Sequence, residues 1–290
     1  MPALACLNGV MGPIEEAKVS VWDRGFTFGD SVYEVFRLYQ GRPWLEDEHY
    51  ARLKNSLLQV EFPPVDLSKL RETVDRTVAL SEVAEGTVYI QITRGVAPRA
   101  HPFPNPPVAP TEVIVVRPYD DSATARLRES GVVAVCRPDQ RWGRRDVKST
   151  NLLANVLALE IAHRSGAYEA ILVGDDGYVS EATHSSLLWV RAGTLHGTPE
   201  GFEILPGTKR HFIERLAADA GIKFGVERIA QAELLLVDEI LLSGTSIEVL
   251  PVIRVDDTTI GKGQPGPVAR QLRLAYRAAV DDWLKTPQQP

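Results

Sequence analysis

The sequence predicts an α/β protein of the α+β type, with two domains built on mixed sheets, from three observations. Short Val- and Ile-rich runs alternate with segments of helical spacing. These segments do not follow a regular strand-helix-strand series. A polar stretch without periodicity, PYDDSATA at 118–125, divides the chain. The irregular order argues against a dinucleotide-binding domain of repeated βαβ units. The expected division is a small N-terminal α/β domain over 1–119, a linker over 120–123, and a larger C-terminal domain over 124–290 that carries Lys148 and a phosphate site.

In chain order, KVSVWDRGFTFGD has an apolar start that breaks at Gly25 and Gly29, and VYEVFRLY then resumes as a strand or short helix. From Asp47, Tyr50, Leu53, Leu57 and Val60 recur at helical spacing, and Leu67, Leu70, Val74 and Val78 do so again, predicting two amphipathic helices. TVYIQITRG and TEVIVVRPY alternate Val and Ile as strands do, with the proline-crowded PRAHPFPNPPVAP between them. After the boundary, GVVAVCRP reads as a strand. A loop with Lys148 leads to the helix NLLANVLALEIAHRSG, which Gly166 can end in a left-handed conformation. YEAILVG and YVSE flank an Asp176-Gly177 hairpin turn, and SSLLWV continues the sheet. LPGTKRHFIERLAADAG is a glycine turn feeding a helix, with Phe212, Ile213, Leu216 and Ala220 on one face. ILLSGTS is a strand running into a small-residue loop, and PVARQLRLAYRAAVDDWL, with Pro267 in its first turn, closes the chain as a helix.

Of 290 residues, 44% are hydrophobic and 24% charged, an ordinary globular composition. Lys plus Arg is 32 against 38 Asp plus Glu, so a formal charge of -6 gives no general attraction to nucleic acid or an anionic membrane. Small-molecule chemistry is the better expectation. Cys6 and Cys136 form neither a CxxC pair nor a metal-spaced set. No stretch approaches the roughly 20 apolar residues that cross a bilayer, and MPALACLNGV lacks the basic start and apolar run of a leader. A cytoplasmic protein is expected.

An isolated lysine is ordinarily a solvated surface charge. Lys148 stands in RWGRRDVKSTNLLANVLALE between a strand and a helix, and Arg144, Arg145 and Asp146 are charged neighbours of the kind that favour a neutral amine, the form that condenses with an aldehyde cofactor. Such a lysine needs partners. Glu181, at the end of YVSE, is a candidate to keep a pyridine nitrogen protonated, though a strand-end carboxylate is commonly just exposed. Gly207, Thr208 and Lys209 stand at a helix start, where free N-H groups bind anions, and Gly244-Thr245 makes a second small-residue turn; neither is a Walker loop. Arg52, in EHYARL, is a further cation, with Glu48 four residues earlier offering a helix-surface ion pair as its alternative. In TRGVAPRAHPFP, Arg99 and His101 alternate on a backbone stiffened by Pro98, Pro102 and Pro104. They read equally as a carboxylate clamp or as part of a polyproline II loop that binds a partner. Tyr33, in DSVYEVF, supplies a hydroxyl, although a tyrosine in an apolar run is usually core.

Together these segments resemble the D-amino-acid (D-alanine) aminotransferases, of the class-IV, fold-type-IV pyridoxal-phosphate enzymes. The resemblance runs from about residue 8 to about 285 through DRGFTFGDSVYEV, EHYARL, TRGVAPRAHPFP, DVKSTNLL, YEAIL, YVSEAT, ILPGTKR and SGTSIEVLPV, in family order. It implies a cofactor site between the two domains and transamination between a D-amino acid and a 2-oxo acid such as 2-oxoglutarate or pyruvate. By the same resemblance Lys148 is the Schiff-base lysine, Glu181 pairs with the pyridine nitrogen, and Arg52, Leu205, Thr208, Lys209, Gly244 and Thr245 are at cofactor positions. Tyr33, Arg99 and His101 match the substrate-carboxylate trap, the last two given by the neighbouring subunit of a homodimer. TRGVAPRAH favours the D branch, and SVYEVFR lacks the glycine of the FEGIR-type motif of L-branched-chain aminotransferases, the main alternative. Aminodeoxychorismate lyase shares the fold but is not associated with the paired Arg and His. An interaction protein using the proline loop is the remote, non-enzymatic alternative. The sequence departs from the family pattern at His184, at Ser186-Leu187-Leu188 and at Lys209, where a threonine is common.

Overall fold

The computed structural model describes residues 3–287, so the expected domain limits at 1 and 290 fall outside the described residues. By its contacts the chain divides into two compact units. The first runs up to Asp120 and includes Val147–Asn151; the second holds Asp121–Asp146 and the described residues from Leu152 on.

The first unit contains β1 (Leu4–Leu7), β2 (Val10–Pro13), α1 (Arg24–Phe28), β3 (Ser31–Tyr39), β4 (Arg42–Pro43), α2 (Glu46–Gln59), α3 (Leu67–Ser81), β5 (Gly86–Thr93) and β6 (Thr111–Pro118). The strand order is β2-β1-β6-β5-β3-β4, and every pairing is antiparallel, so this sheet is not mixed as expected. The β3–β4 hairpin reverses the chain before the two helices, which therefore deliver β5 antiparallel to β3. Leu53 and Leu57 of α2 and Leu70, Val74 and Val78 of α3 bury the stripes seen in the sequence. They pack with Phe36, Leu38, Ile90, Ile92, Ile114 and Val116 of the sheet.

The β4 strand pairs only with Leu38 and Tyr39, which leaves the first half of β3 with an open edge. The segment after Asp146 fills it. Val32 bridges to Ser149, Tyr33 N donates to Lys148 O at 2.9 Å, and Val147 is buried in the first unit's core. Backbone groups on an open strand need partners, and this is where they find them. Lys148, expected with the second half, therefore groups with the first unit.

The second unit contains α4 (Ser122–Ser130), β7 (Val132–Pro138), α5 (Leu153–Arg164), β8 (Glu169–Val173), β9 (Val179–Ala182), β10 (Ser186–Arg191), β11 (Thr194–Gly197), α6 (Thr208–Asp219), β12 (Phe224–Val226), α7 (Gln231–Leu234), β13 (Glu239–Gly244), β14 (Glu248–Val255), β15 (Thr258–Thr259) and α8 (Pro267–Lys285). Its sheet, in the order β12-β11-β10-β13-β14-β7-β8-β9 with β15 on β14, is mixed. The β11–β12, β14–β7 and β7–β8 pairs are parallel and the rest antiparallel. Ile171, Leu187, Trp189, Leu242 and Leu250 lie at its core. The Asp176-Gly177 turn closes the β8–β9 hairpin, with Gly177 at φ 80°. Much of PYDDSATA is helix: α4 begins at Ser122, inside the expected linker. Its one buried residue is Arg128, held by both oxygens of Asp121 at 2.6 and 2.9 Å, so no apolar period marks it. No helix among the described residues is long and apolar enough to cross a membrane.

Candidate active site

In the first unit, Lys148 is half-buried and its Nζ lies 4.3 Å from the centre of the Tyr33 ring. Lys148 N donates to Ser56 Oγ at 3.2 Å, and Tyr33 stacks on Tyr89 at 5.7 Å between ring centres. Backbone pairing with β3 on one side and α2 on the other fixes the base of the lysine and leaves a flexible amine above an aromatic face. The charges beside it in sequence are paired among themselves. Arg144 holds both oxygens of Asp146 at 3.0 Å, and Arg145 Nε lies 3.5 Å from Asp139.

Arg52 pairs with a buried acid that the sequence reading passed over. Its Nε and Nη2 donate to the two oxygens of Glu34 at 2.7 and 2.9 Å, and His49 Nδ1 lies 2.8 Å from Glu34 Oε2. Glu34 and His49 are fully buried. Burial alone would push the Glu34 carboxyl up, but Arg52 and His49 outweigh it and hold it well below the usual carboxylate range.

Arg99 and His101 both lie against Phe28, at the end of α1. The Arg99 guanidinium is 5.0 Å from the ring centre, and the His101 ring is 5.5 Å from it, tilted. The structure thus brings these two side chains to one aromatic platform, and both are exposed. Tyr33 and Lys148 form the other grouping of expected residues in this unit.

In the second unit, Glu181 sits in β9, 6% exposed, so the strand-end carboxylate is not a surface group. Arg141 Nη1 donates to its Oε1 at 2.5 Å, and Leu205 N donates to the same oxygen at 3.2 Å. Neither contact uses Oε2. Arg141 is itself held by Asp139, through Nε at 2.9 Å and Nη2 at 2.8 Å, and Ser180 Oγ donates to Asp139 Oδ2 at 2.7 Å. Burial pushes the Glu181 carboxyl up; Arg141 and the Leu205 amide pull it back only in part. Leu205 is thereby joined to Glu181 through its backbone amide.

Gly207 is the N-cap of α6 and supplies no side-chain cap, and the helix presents the positive end of its dipole here. A Cβ at Gly207 would fall 2.4 Å from Ser186 Oγ, which explains both the glycine and the small residue facing it. Thr208 and Lys209 are buried, Lys209 with 2% exposure, so its charge does not point into solvent. Gly244 ends β13 and Thr245 follows it. His184 lies 2.8 Å, through Nδ1, from Oε2 of the buried Glu169, which also accepts from Ser185 Oγ, Thr183 Oγ1 and the amides of Ala170 and Thr183. These contacts outweigh the upward push of burial and hold Glu169 low.

Glu34, His49, Arg141 and Glu169 are the residues that sequence reasoning missed. The one signal for Arg141 was its place two residues after Asp139 in a loop crowded with arginines.

The amino-transferase class IV family matches residues 31–255. The D-alanine aminotransferase of Staphylococcus epidermidis (strain ATCC 35984) is 38% identical over 275 residues, covering 94% of this chain and 96% of its own. That of Bacillus licheniformis is 34% identical over 278 residues, covering 94% and 95%. Among solved structures, the Escherichia coli branched-chain amino acid aminotransferase superposes with a TM-score of 0.89 at 28% identity, covering 95% of this chain and 93% of its own. The T.th. branched-chain amino acid aminotransferase with pyridoxamine 5'-phosphate gives 0.88 at 28% identity, covering 97% and 94%.

Proposed function

The chain belongs to the class IV aminotransferases, and on that premise we propose that it is a pyridoxal-phosphate enzyme moving amino groups between D-amino acids, of the D-alanine or D-glutamate type, and 2-oxo acids such as pyruvate or 2-oxoglutarate. The D-alanine aminotransferases at 34 to 38% identity support the substrate class. Glu181 is the observation that carries the cofactor. A buried carboxylate whose protein donors both fall on Oε1 has Oε2 left for the N-H of a protonated pyridine, and the positive dipole end of α6 suits a phosphate.

When bound, pyridoxal phosphate supplies an aldehyde that condenses with amines and a cationic ring that accepts the electron pair left when a carbon loses a proton. Glu181 keeps the proton on that ring nitrogen by accepting its hydrogen bond, and the Arg141 guanidinium favours its ionised form against the push of burial. Lys148 Nζ is the amine that bonds covalently; once free, it takes the proton from the substrate's α-carbon and holds it for return. Arg99 and His101 bind the substrate carboxylate with Tyr33, which decides which face of the α-carbon meets the lysine. Arg52, Leu205, Thr208, Lys209, Gly244 and Thr245 hold the cofactor, Arg52 in an orientation set by Glu34.

A homodimer in which Arg99 and His101 serve the neighbouring subunit is part of this reading. Leu153, Val156, Leu157 and Ile161, exposed along one face of α5, form an apolar stripe that a second copy suits. Two buried, unpaired cysteines accord with a cytoplasmic location. The test is Glu181→Gln. The amide cannot hold the ring cationic, so kcat falls by at least about 10²-fold, the size of losing one preorganised charge contact. Turnover within twofold of wild type overturns the assignment.

A further inference from the structure

The segment carrying Arg99 and His101 has few ways to hold itself. Pro98, Pro102 and Pro104 have no N-H to donate, so the backbone here has more carbonyls than donors with which to anchor itself. One side chain collects three in a row. Arg24 Nη1 donates to Ala100 O at 2.7 Å and to Pro102 O at 3.3 Å, and Arg24 Nη2 donates to His101 O at 3.3 Å. Arg24 is 4% exposed, and its Nε is fixed by Asp30 Oδ2 at 2.8 Å.

Asp30 accepts in turn from Arg94 Nε, at 3.0 and 2.8 Å. The Arg94 guanidinium lies 3.6 Å from the centre of the Phe103 ring, just past the residues Arg24 holds. The base of Arg24 is equally constrained. It opens α1, where Asp23 caps Gly25 N at 2.8 Å and accepts from Thr93 and Thr111 of the sheet. The Arg24 guanidinium also lies 4.8 Å from the centre of the Phe28 ring, the same ring that Arg99 and His101 lie against.

We propose that Arg24 is a positioning residue for substrate selection: it fixes the backbone from which Arg99 and His101 project, and Phe28 fixes the angle of their side chains. This rests on the reading of those two as the carboxylate clamp. Arginine is required because a planar fork reaches three carbonyls and a carboxylate at once, whereas a lysine ammonium on the same stem is a point donor. A loosened clamp admits the carboxylate in more than one place and so loses its choice of enantiomer.

The test compares wild type, Arg24→Lys and Phe28→Leu as purified holoenzymes. Both variants are expected to raise the KM for D-alanine at least about tenfold, within the ~10²-fold that a misplacement of about 1 Å costs. They should also lower the D-to-L ratio of kcat/KM and weaken binding of propionate, a carboxylate without an amino group, while bound cofactor stays at wild-type level. Phe28→Leu leaves the Arg24–Asp30 contact in place and serves if Arg24→Lys folds poorly. Unchanged KM and D-to-L ratio in Phe28→Leu overturns the proposal. So does an Arg24→Lys enzyme in which both enantiomers fall in step with melting temperature. Wild type showing no D preference would instead remove the clamp reading itself, and this inference with it.

Discussion

Replacing Glu34 by Gln removes the charge at the centre of a buried triad. In the native protein its two oxygens accept from Arg52 at 2.7 and 2.9 Å and face His49 at 2.8 Å, with 0% exposure for Glu34 and His49 and 9% for Arg52. Taking one partner from a buried ion pair costs about 3–5 kcal/mol, because the other charge stays buried without compensation. Gln keeps one acceptor oxygen, so the lower end, about 3 kcal/mol, is expected. At roughly 2–4 °C per kcal/mol for a chain of this size, the melting temperature falls by about 6–12 °C.

The pH dependence has a definite sign. Glu34 titrates lower in the folded than in the unfolded protein, so its contribution is complete above the unfolded value of 4.5 and is lost as pH falls through the lower folded value. Urea unfolding of both proteins from pH 7 to pH 3 should therefore show a gap that is constant at the upper end and narrows below about pH 4.5. Arg52 also loses its alignment in the variant, so cofactor should wash out faster on dialysis. A gap under about 1 kcal/mol at pH 7, the size of an exposed pair, refutes the reasoning, as does a gap that does not narrow in acid.

Cys6 and Cys136 are buried, and burial, with Asp256 beside it, pushes the Cys136 thiol up to about 12. A colorimetric thiol reagent should find no reactive thiol in native protein and two after denaturation. Gly207→Ala should weaken cofactor binding at least about tenfold and destabilise by about 1–3 kcal/mol through overpacking. The new Cβ meets Ser186 Oγ at 2.4 Å, so adding Ser186→Ala should recover most of both losses in a cofactor titration and a melt.

The paired amphipathic helices were legible because each buries an apolar stripe that the sequence displays, Leu53 and Leu57 on one and Leu70, Val74 and Val78 on the other. The α4 helix was not, since what it buries is the charge of Arg128. The pairs β1–β2 and β11–β12 were missed because strands of three or four residues are too short to establish a period. Lys148 was found, but its grouping was not. An open edge on β3 draws its segment to the first unit, and no local pattern encodes that edge. Glu34, His49, Arg24 and Arg141 share one reason for being overlooked. A charged residue in a sequence reads as surface, and only its partners, up to 78 residues away for Arg24, reveal it as buried structure.

The central claim is that Lys148 serves a D-amino-acid transamination. It is tested most directly by the absorption spectrum of the purified holoenzyme before and after D-alanine, and separately L-alanine, is added without a 2-oxo acid. The account predicts that D-alanine converts the bound aldehyde form to the amine form, that L-alanine does so far more slowly, and that Lys148→Ala does neither. Faster conversion by L-alanine, or conversion by Lys148→Ala at the wild-type rate, would contradict it.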